Sequence, residues 1–145
     1  MSRARLAAPL LAALALLGAG AQAQAQTQAQ AQAQPPAQSG GIQRTVVQKG
    51  DVSVPGREAV VATVEVAPGV LAGRHTHPGD EISYVMEGEG ELLIDGQAPR
   101  KLKPGDAFIL PAGTIHGARN TGSVPMKLVG VFMVEKGQPL ATPAK

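Results

Sequence analysis

The three histidines of this 145-residue chain all stand at spacings from which a metal site can be built. His75 and His77 are separated by one residue. On a strand, side chains at i and i+2 project from the same face, so both imidazoles can reach one ion. Pro78-Gly79-Asp80 then makes a turn that could bring Glu81 back beside them. His116 lies about forty residues further on, after Pro111-Ala112-Gly113, a second turn that opens a strand. Three neutral imidazoles and a carboxylate form a mixed nitrogen and oxygen shell suited to a divalent transition metal. Taken alone, a His-x-His pair is more often a surface or capping pair, and Glu81 or His116 alone an ordinary polar residue.

The elements that must position these groups read as strands. Thr45-Val46-Val47, Ala59 to Val66, Ile82 to Glu87, Glu91 to Asp95, Ala107 to Leu110 and Lys127 to Val134 are short and rich in Val, Ile and Leu. Each is bounded by Gly, Pro or Asp, the residues that punctuate strands. Asp95-Gly96 is a tight-hairpin signal, since such turns need residues that accept positive φ. No stretch of residues 42–136 keeps a 3.6-residue apolar period for three turns. About eight short strands over this span fit a sandwich or barrel. Closing a barrel would bury the aliphatic faces and remove exposed edges.

Composition narrows the functional classes. The length leaves room for one domain. Without cysteine there is no disulfide framework, thiolate zinc site or cysteine nucleophile. Three aromatic residues, Tyr84, Phe108 and Phe132, are too few for a base-stacking platform, so nucleic acid is not an expected partner. Arg3 and Arg5 precede an apolar run from Leu6 to Leu17, followed by small residues with A-x-A spacing. This describes a Sec-type signal peptide over 1–23, and the run is too short for a stable membrane anchor. The mature protein is expected to be periplasmic or extracellular. Residues 24–41 alternate Ala and Gln and end in Pro and Gly, which reads as a disordered linker. The domain is placed at 42–136, with a C-terminal tail at 137–145. The formal charge of +2 rests on Arg3 and Arg5, so the mature chain is neutral.

The histidines fall within two longer patterns. Gly69, five residues, His75-Thr76-His77, three residues, Glu81, six residues and Gly88 form the first. Gly105, five residues, Pro111-Ala112-Gly113, two residues, His116, three residues and Asn120 form the second. These resemble the two cupin motifs at every fixed position, and the sixteen residues between them match a small single-domain (type-2) cupin. The resemblance implies an all-β fold, the cupin double-stranded β-helix, a jelly-roll-like barrel with a metal in its mouth. It carries the family's ligands onto His75, His77, Glu81 and His116. Gly69, Gly88, Gly105, Pro111 and Gly113 take the structural half of the pattern, as turn residues. Asn120 is expected to close a strand-end turn rather than bind an ion.

Strand parity places Ser83, Val85, Thr114 and Ala118 toward the site, a small and nearly neutral lining, and turns Tyr84 outward. Asp80 and Asp106 read as turn residues, and Arg74 and Arg119 alternate away from their neighbouring ligands. No catalytic acid or base is therefore assigned. The expectation is an exported protein holding one divalent metal, with Mn, Fe, Ni, Zn and Cu unresolved. It is either a dioxygenase-type metalloenzyme for a small molecule, as the resemblance suggests, or a non-catalytic metal or small-ligand binding module. The strand near Thr45 to Lys49 could also pair across a homodimer.

Overall fold

A computed structural model describes residues 37–145. The expected signal peptide at 1–23, and the expected linker as far as residue 36, lie outside the described residues. Within them the chain forms eleven strands and no helix. In chain order these are β1 (Ala37–Ser39), β2 (Ile42–Asp51), β3 (Arg57–Val66), β4 (Leu71–Thr76), β5 (Gly79–Glu87) and β6 (Gly90–Ile94). They continue as β7 (Arg100–Leu102), β8 (Ala107–Leu110), β9 (His116–Asn120), β10 (Met126–Glu135) and β11 (Thr142–Pro143). Two antiparallel sheets result, one ordered β1-β2-β3-β10-β5-β8 and the other β11-β4-β9-β6-β7. The expected all-β double-stranded β-helix is the fold observed.

Alternation drives the assembly. On β5, Gly79, Glu81, Ser83 and Val85 are buried while Asp80, Ile82, Tyr84 and Met86 are exposed. On β10, Met126, Leu128, Gly130, Phe132 and Val134 form the buried face. Their partners on β3 include Val66, Val64, Ala62 and Val60. One core cluster joins the sheets through Val66, Val85, Leu92, Leu102, Phe108, Leu110, Met126 and Leu128. A second gathers Val60, Ala62, Phe132 and Val134, with Val46 and Leu140 packed on it. Each such large side chain contributes about 1.5–3 kcal/mol by leaving water. A barrel with few aromatics thus closes on aliphatic area.

The strand count exceeds the eight expected. Strand β7, Arg100-Lys101-Leu102, has no apolar run to announce it, and β4 is short of aliphatic residues because its inner face serves the site. Strands β1 and β11 fall outside 42–136: Ala37 pairs with Arg44, and Thr142 and Pro143 pair with Thr76 and His75. Pairing partners, not their own composition, make these segments strands.

The register of β4 on β9 decides the site. Ala72 pairs with Ala118 and His75 with His116, so Gly73 and Arg74 together face only Gly117. Ala72 and His75 are three residues apart and would point to opposite faces of a regular strand. The bulge restores the parity and turns His75 onto the same face as Ala72. It also needs a glycine opposite, because a Cβ at Gly117 would lie 2.5 Å from the Ala72 carbonyl oxygen.

Candidate metal centre

His75 ends the bulge, His77 follows the last residue of β4, Glu81 lies on the inner face of β5 and His116 opens β9. The two motifs are clamped together at this corner. The Gly113 N–H donates to the His77 carbonyl at 3.0 Å, and the Ala112 N–H donates to Asp80 Oδ1 at 3.1 Å. Gly113 adopts φ of 75°, a conformation that costs glycine little and other residues more. Asp80, expected in a turn with Pro78 and Gly79, lies instead in β5, whose pairing with β10 begins at Gly79, and it holds the Pro111-Ala112-Gly113 turn from there; Asp106 takes its expected turn role through a bond from the Lys103 N–H at 2.9 Å.

The imidazoles converge. Ring centroids lie 4.9 Å apart for His75 and His77, 4.4 Å for His75 and His116, and 5.2 Å for His77 and His116. One nitrogen from each falls within 4.8 Å of the others, close enough to hold a metal ion. Each Nδ1 is spoken for by a backbone carbonyl: His75 by Gly73 at 2.8 Å, His77 by Leu140 at 2.6 Å, His116 by Thr114 at 3.0 Å. A carbonyl can only accept, so each Nδ1 carries the proton and each neutral ring presents its Nε2 lone pair. That is the arrangement of metal-bound histidines, in which the second nitrogen fixes tautomer and orientation.

Glu81 completes the cluster. Its Oε2 lies 3.1 Å from His77 Nε2 and 3.0 Å from His116 Nε2. With both Nδ1 atoms protonated these contacts bring lone pairs together, and no donor is aligned on the buried Oε2 among the described residues. Such a meeting of acceptors is favourable only around a proton or a cation. The other oxygen, Oε1, accepts from Ser83 Oγ at 2.6 Å. The residues thus fit a divalent cation: three nitrogens lie close enough together to hold one, and the orphaned Oε2 beside two of them would be a fourth donor.

In the metal-free protein the ionisation states follow from the same contacts. Burial, then the nearby His116, His77 and Arg44, push the His75 imidazole down to about 4, against the Gly73 bond. Burial alone would raise the Glu81 carboxyl. The contacts with His116 and His77, whose rings gain a positive charge beside the carboxylate when they take up a proton, and the bond from Ser83 outweigh it and hold the group well below the usual carboxylate range. Burial likewise opposes the charging of His116, but its contact with Glu81 prevails and raises its pKa.

Around this centre the barrel leaves a cavity of about 60 Å³, walled by Val66, Leu92, Phe108, Leu128 and Phe132 and reached by Arg44, His75, Glu81, Ser83, His116 and Ala118. An outer groove of about 270 Å³ shares Ile42, Arg44, Ala72 and His75 with it and adds Gly73, Arg74, Ala141 and Pro143. Of the expected lining, Ser83 and Ala118 border the cavity. Val85 instead belongs to the core, and Thr114 sits in the turn before β9, serving His116 through its carbonyl. Asn120 closes its turn as expected: Nδ2 donates to Val66 and Val124 carbonyls and Oδ1 accepts from the Gly122 N–H. Arg74 faces the groove but is engaged by Asp95 and the Lys145 carbonyl. Arg44 was absent from the expected lining. Its signal was the alternation Ile42-x-Arg44-x-Val46, which places it inward on β2.

Comparison with known proteins agrees with this fold. Over 55 residues the chain is 42% identical to dimethylsulfoniopropionate lyase DddQ of Ruegeria pomeroyi, covering 38% of this chain and 27% of that one. Over 58 residues it is 40% identical to acireductone dioxygenase of Rhodopseudomonas palustris, covering 38% and 35%. The chain therefore spans about a third or less of the length of these relatives. A double-stranded β-helix protein from Klebsiella pneumoniae superposes with a TM-score of 0.60 at 28% identity, covering 77% of this chain and 85% of that one. The family model for the cupin domain matches residues 62–134, half of the chain, and with the barrel and both motifs in place this protein belongs to the cupin superfamily.

Proposed function

We propose that this protein is an exported, divalent-metal-dependent cupin enzyme acting on a small oxygen-bearing molecule, with a dioxygenase-type reaction as the leading class. The observation that carries the proposal is the cluster of three imidazoles, one nitrogen of each within 4.8 Å of the others and each ring locked by a backbone acceptor, with Glu81 Oε2 beside His77 and His116. His75, His77, Glu81 and His116 would hold the ion. When bound, a divalent metal supplies Lewis acidity and, for redox-active metals, a means of activating dioxygen. Mn, Fe, Ni, Zn and Cu all suit the donor set.

The chain's own residues shape what can react. Ser83 holds Glu81 in one orientation through its 2.6 Å bond. Phe132, packed 4.7 Å from the His77 ring, and Leu92 exclude water from the inner side. The inner cavity has room for only a few water-sized groups, so a substrate would lie in the outer groove and present a small head group inward. The same small volume favours the second reading, a non-catalytic metal-binding module.

Metal analysis tests the first step: one equivalent of a divalent metal after native purification or reconstitution is expected. Less than about a tenth of an equivalent by both routes would refute it. Oxygen consumption by metal-loaded protein against flavonols, diketones and catechols tests the second. Turnover lost in His75→Ala and His116→Ala supports an enzyme, whereas tight ligand binding without turnover supports the module. Export by the 1–23 segment predicts a mature N-terminus near residue 24 in the exported fraction.

A further inference from the structure

Arg44 is a charged side chain in an otherwise apolar row. Its neighbours on the inner face of β2 are Ile42 and Val46, paired across β3 with Val66 and Ala62, and Arg44 itself faces Val64. Its guanidinium lies 5.9 Å from the centre of the Phe132 ring. Its Nε is buried with no hydrogen-bond partner among the described residues. No carboxylate of those residues lies in ion-pair range of it. The residue is half-buried and burial opposes its charge, with Glu81 acting on it from beyond ion-pair distance, and a guanidinium offers a planar fork of donors that matches a carboxylate. Arg44 borders both the inner cavity and the outer groove, so it stands where a molecule entering the site must pass.

Charge balance points the same way. A divalent ion held by Glu81 and three neutral imidazoles leaves one positive charge in the cavity, and Arg44 adds a second. A neutral ligand would leave both uncompensated in a site walled by hydrocarbon, whereas a carboxylate compensates one of them directly. The other arginine of the groove, Arg74, already has Asp95 and the Lys145 carbonyl as partners.

We propose that Arg44 anchors the carboxylate of a small anionic ligand, setting the substrate class of the metal site as organic acids. This rests on the metal-site reading above. The geometry makes Arg44 a binding residue and Phe132 the surface that holds its guanidinium plane.

The test uses glycolate and its uncharged amide, glycolamide, titrated calorimetrically into wild type, Arg44→Met and Arg44→Lys, each with and without a reconstituted divalent metal. Metal content is measured first. Arg44→Met should keep full metal stoichiometry and bind glycolate about 10- to 100-fold more weakly, with glycolamide changed less than about threefold. Arg44→Lys should fall between. Arg44→Met should also melt at or above the wild-type temperature, because an apolar chain replaces a half-buried cation among apolar neighbours. A merely structural role, balancing Glu81, predicts the opposite sign. Equal glycolate binding by wild type and Arg44→Met overturns the proposal while leaving the metal reading intact. So does metal-loaded wild type that binds neither probe. If no variant takes up metal the metal reading fails, and the metal-free titrations still decide Arg44 by the same comparison.

Discussion

Ser83→Ala removes one hydroxyl and tests whether Glu81 is held for its task. Ser83 Oγ donates to Glu81 Oε1 at 2.6 Å, with both residues buried. Hydrogen bonds to charged groups contribute about 1.5–3 kcal/mol, and alanine leaves the buried Oε1 without that donor. In the metal-free protein the variant should therefore lose about 1.5–3 kcal/mol of stability. At 4–8 °C per kcal/mol for a domain of this size, the midpoint of thermal unfolding should fall by roughly 6–24 °C. Metal binding is affected separately. Partners that orient a metal ligand are worth about 10- to 100-fold in affinity, and loss of the hydroxyl frees the carboxylate to rotate. Differential scanning calorimetry on chelator-treated protein and competition titration against a chromogenic chelator read the two effects. In the Glu81→Gln background the stability cost of Ser83→Ala should drop by about half, because a neutral acceptor forms the weaker bond. An unchanged melting midpoint together with unchanged affinity would show that Ser83 does not position Glu81, and the reasoning would fail.

Three further outcomes follow from the same contacts. Deleting residues 137–145 removes the Leu140 carbonyl that fixes His77, so metal affinity should fall about 10- to 100-fold, measured by chelator competition on the folded variant. Gly117→Ala places a methyl 2.5 Å from the Ala72 carbonyl oxygen, a backbone atom that cannot swing aside. It should cost about 1–3 kcal/mol in denaturant unfolding. In the metal-free protein His75 titrates near 4 and His116 above the ordinary histidine value, which nitrogen-detected NMR of the imidazoles can follow. Because the unfolded chain binds the His75 proton near 6.5 and the folded one only near 4, His75 makes the fold less stable as pH falls through that window. His116 acts in the opposite sense, its contribution present at low pH and lost as pH rises through its raised folded value.

The legible parts of this site are those with a local pattern. Two strand-turn motifs brought His75, His77, Glu81 and His116 together, and strict alternation along β5 placed Ser83 inward and Tyr84 outward. The glycines expected at turns, Gly69, Gly88, Gly105 and Gly113, all take positive φ. What escaped depends on tertiary pairing or on the backbone. The carbonyls of Gly73, Leu140 and Thr114 that orient the imidazoles carry no side-chain signature. Arg44 lies on a strand remote from both motifs, and it reaches the site only because β2 pairs with β3. Strand parity counted back from His116 turns Thr114 inward, but β9 begins only at His116, so the alternation does not extend to Thr114.

The β4 bulge bears on how this centre could be moved. In it, direction is separated from count: His75 points inward because Gly73 and Arg74 share one partner position opposite Gly117. Grafting His75 and His77 onto a regular strand of another barrel, beside a counterpart of Ala72, would aim His75 at solvent. The transplantable unit is therefore a two-strand patch, residues 72–77 together with 116–118, and not the histidine motif alone. Single-residue deletions at Gly73 or Arg74, both solvent-exposed, should be as damaging to the site as loss of a ligand, while substitutions at the same positions are borne far more easily.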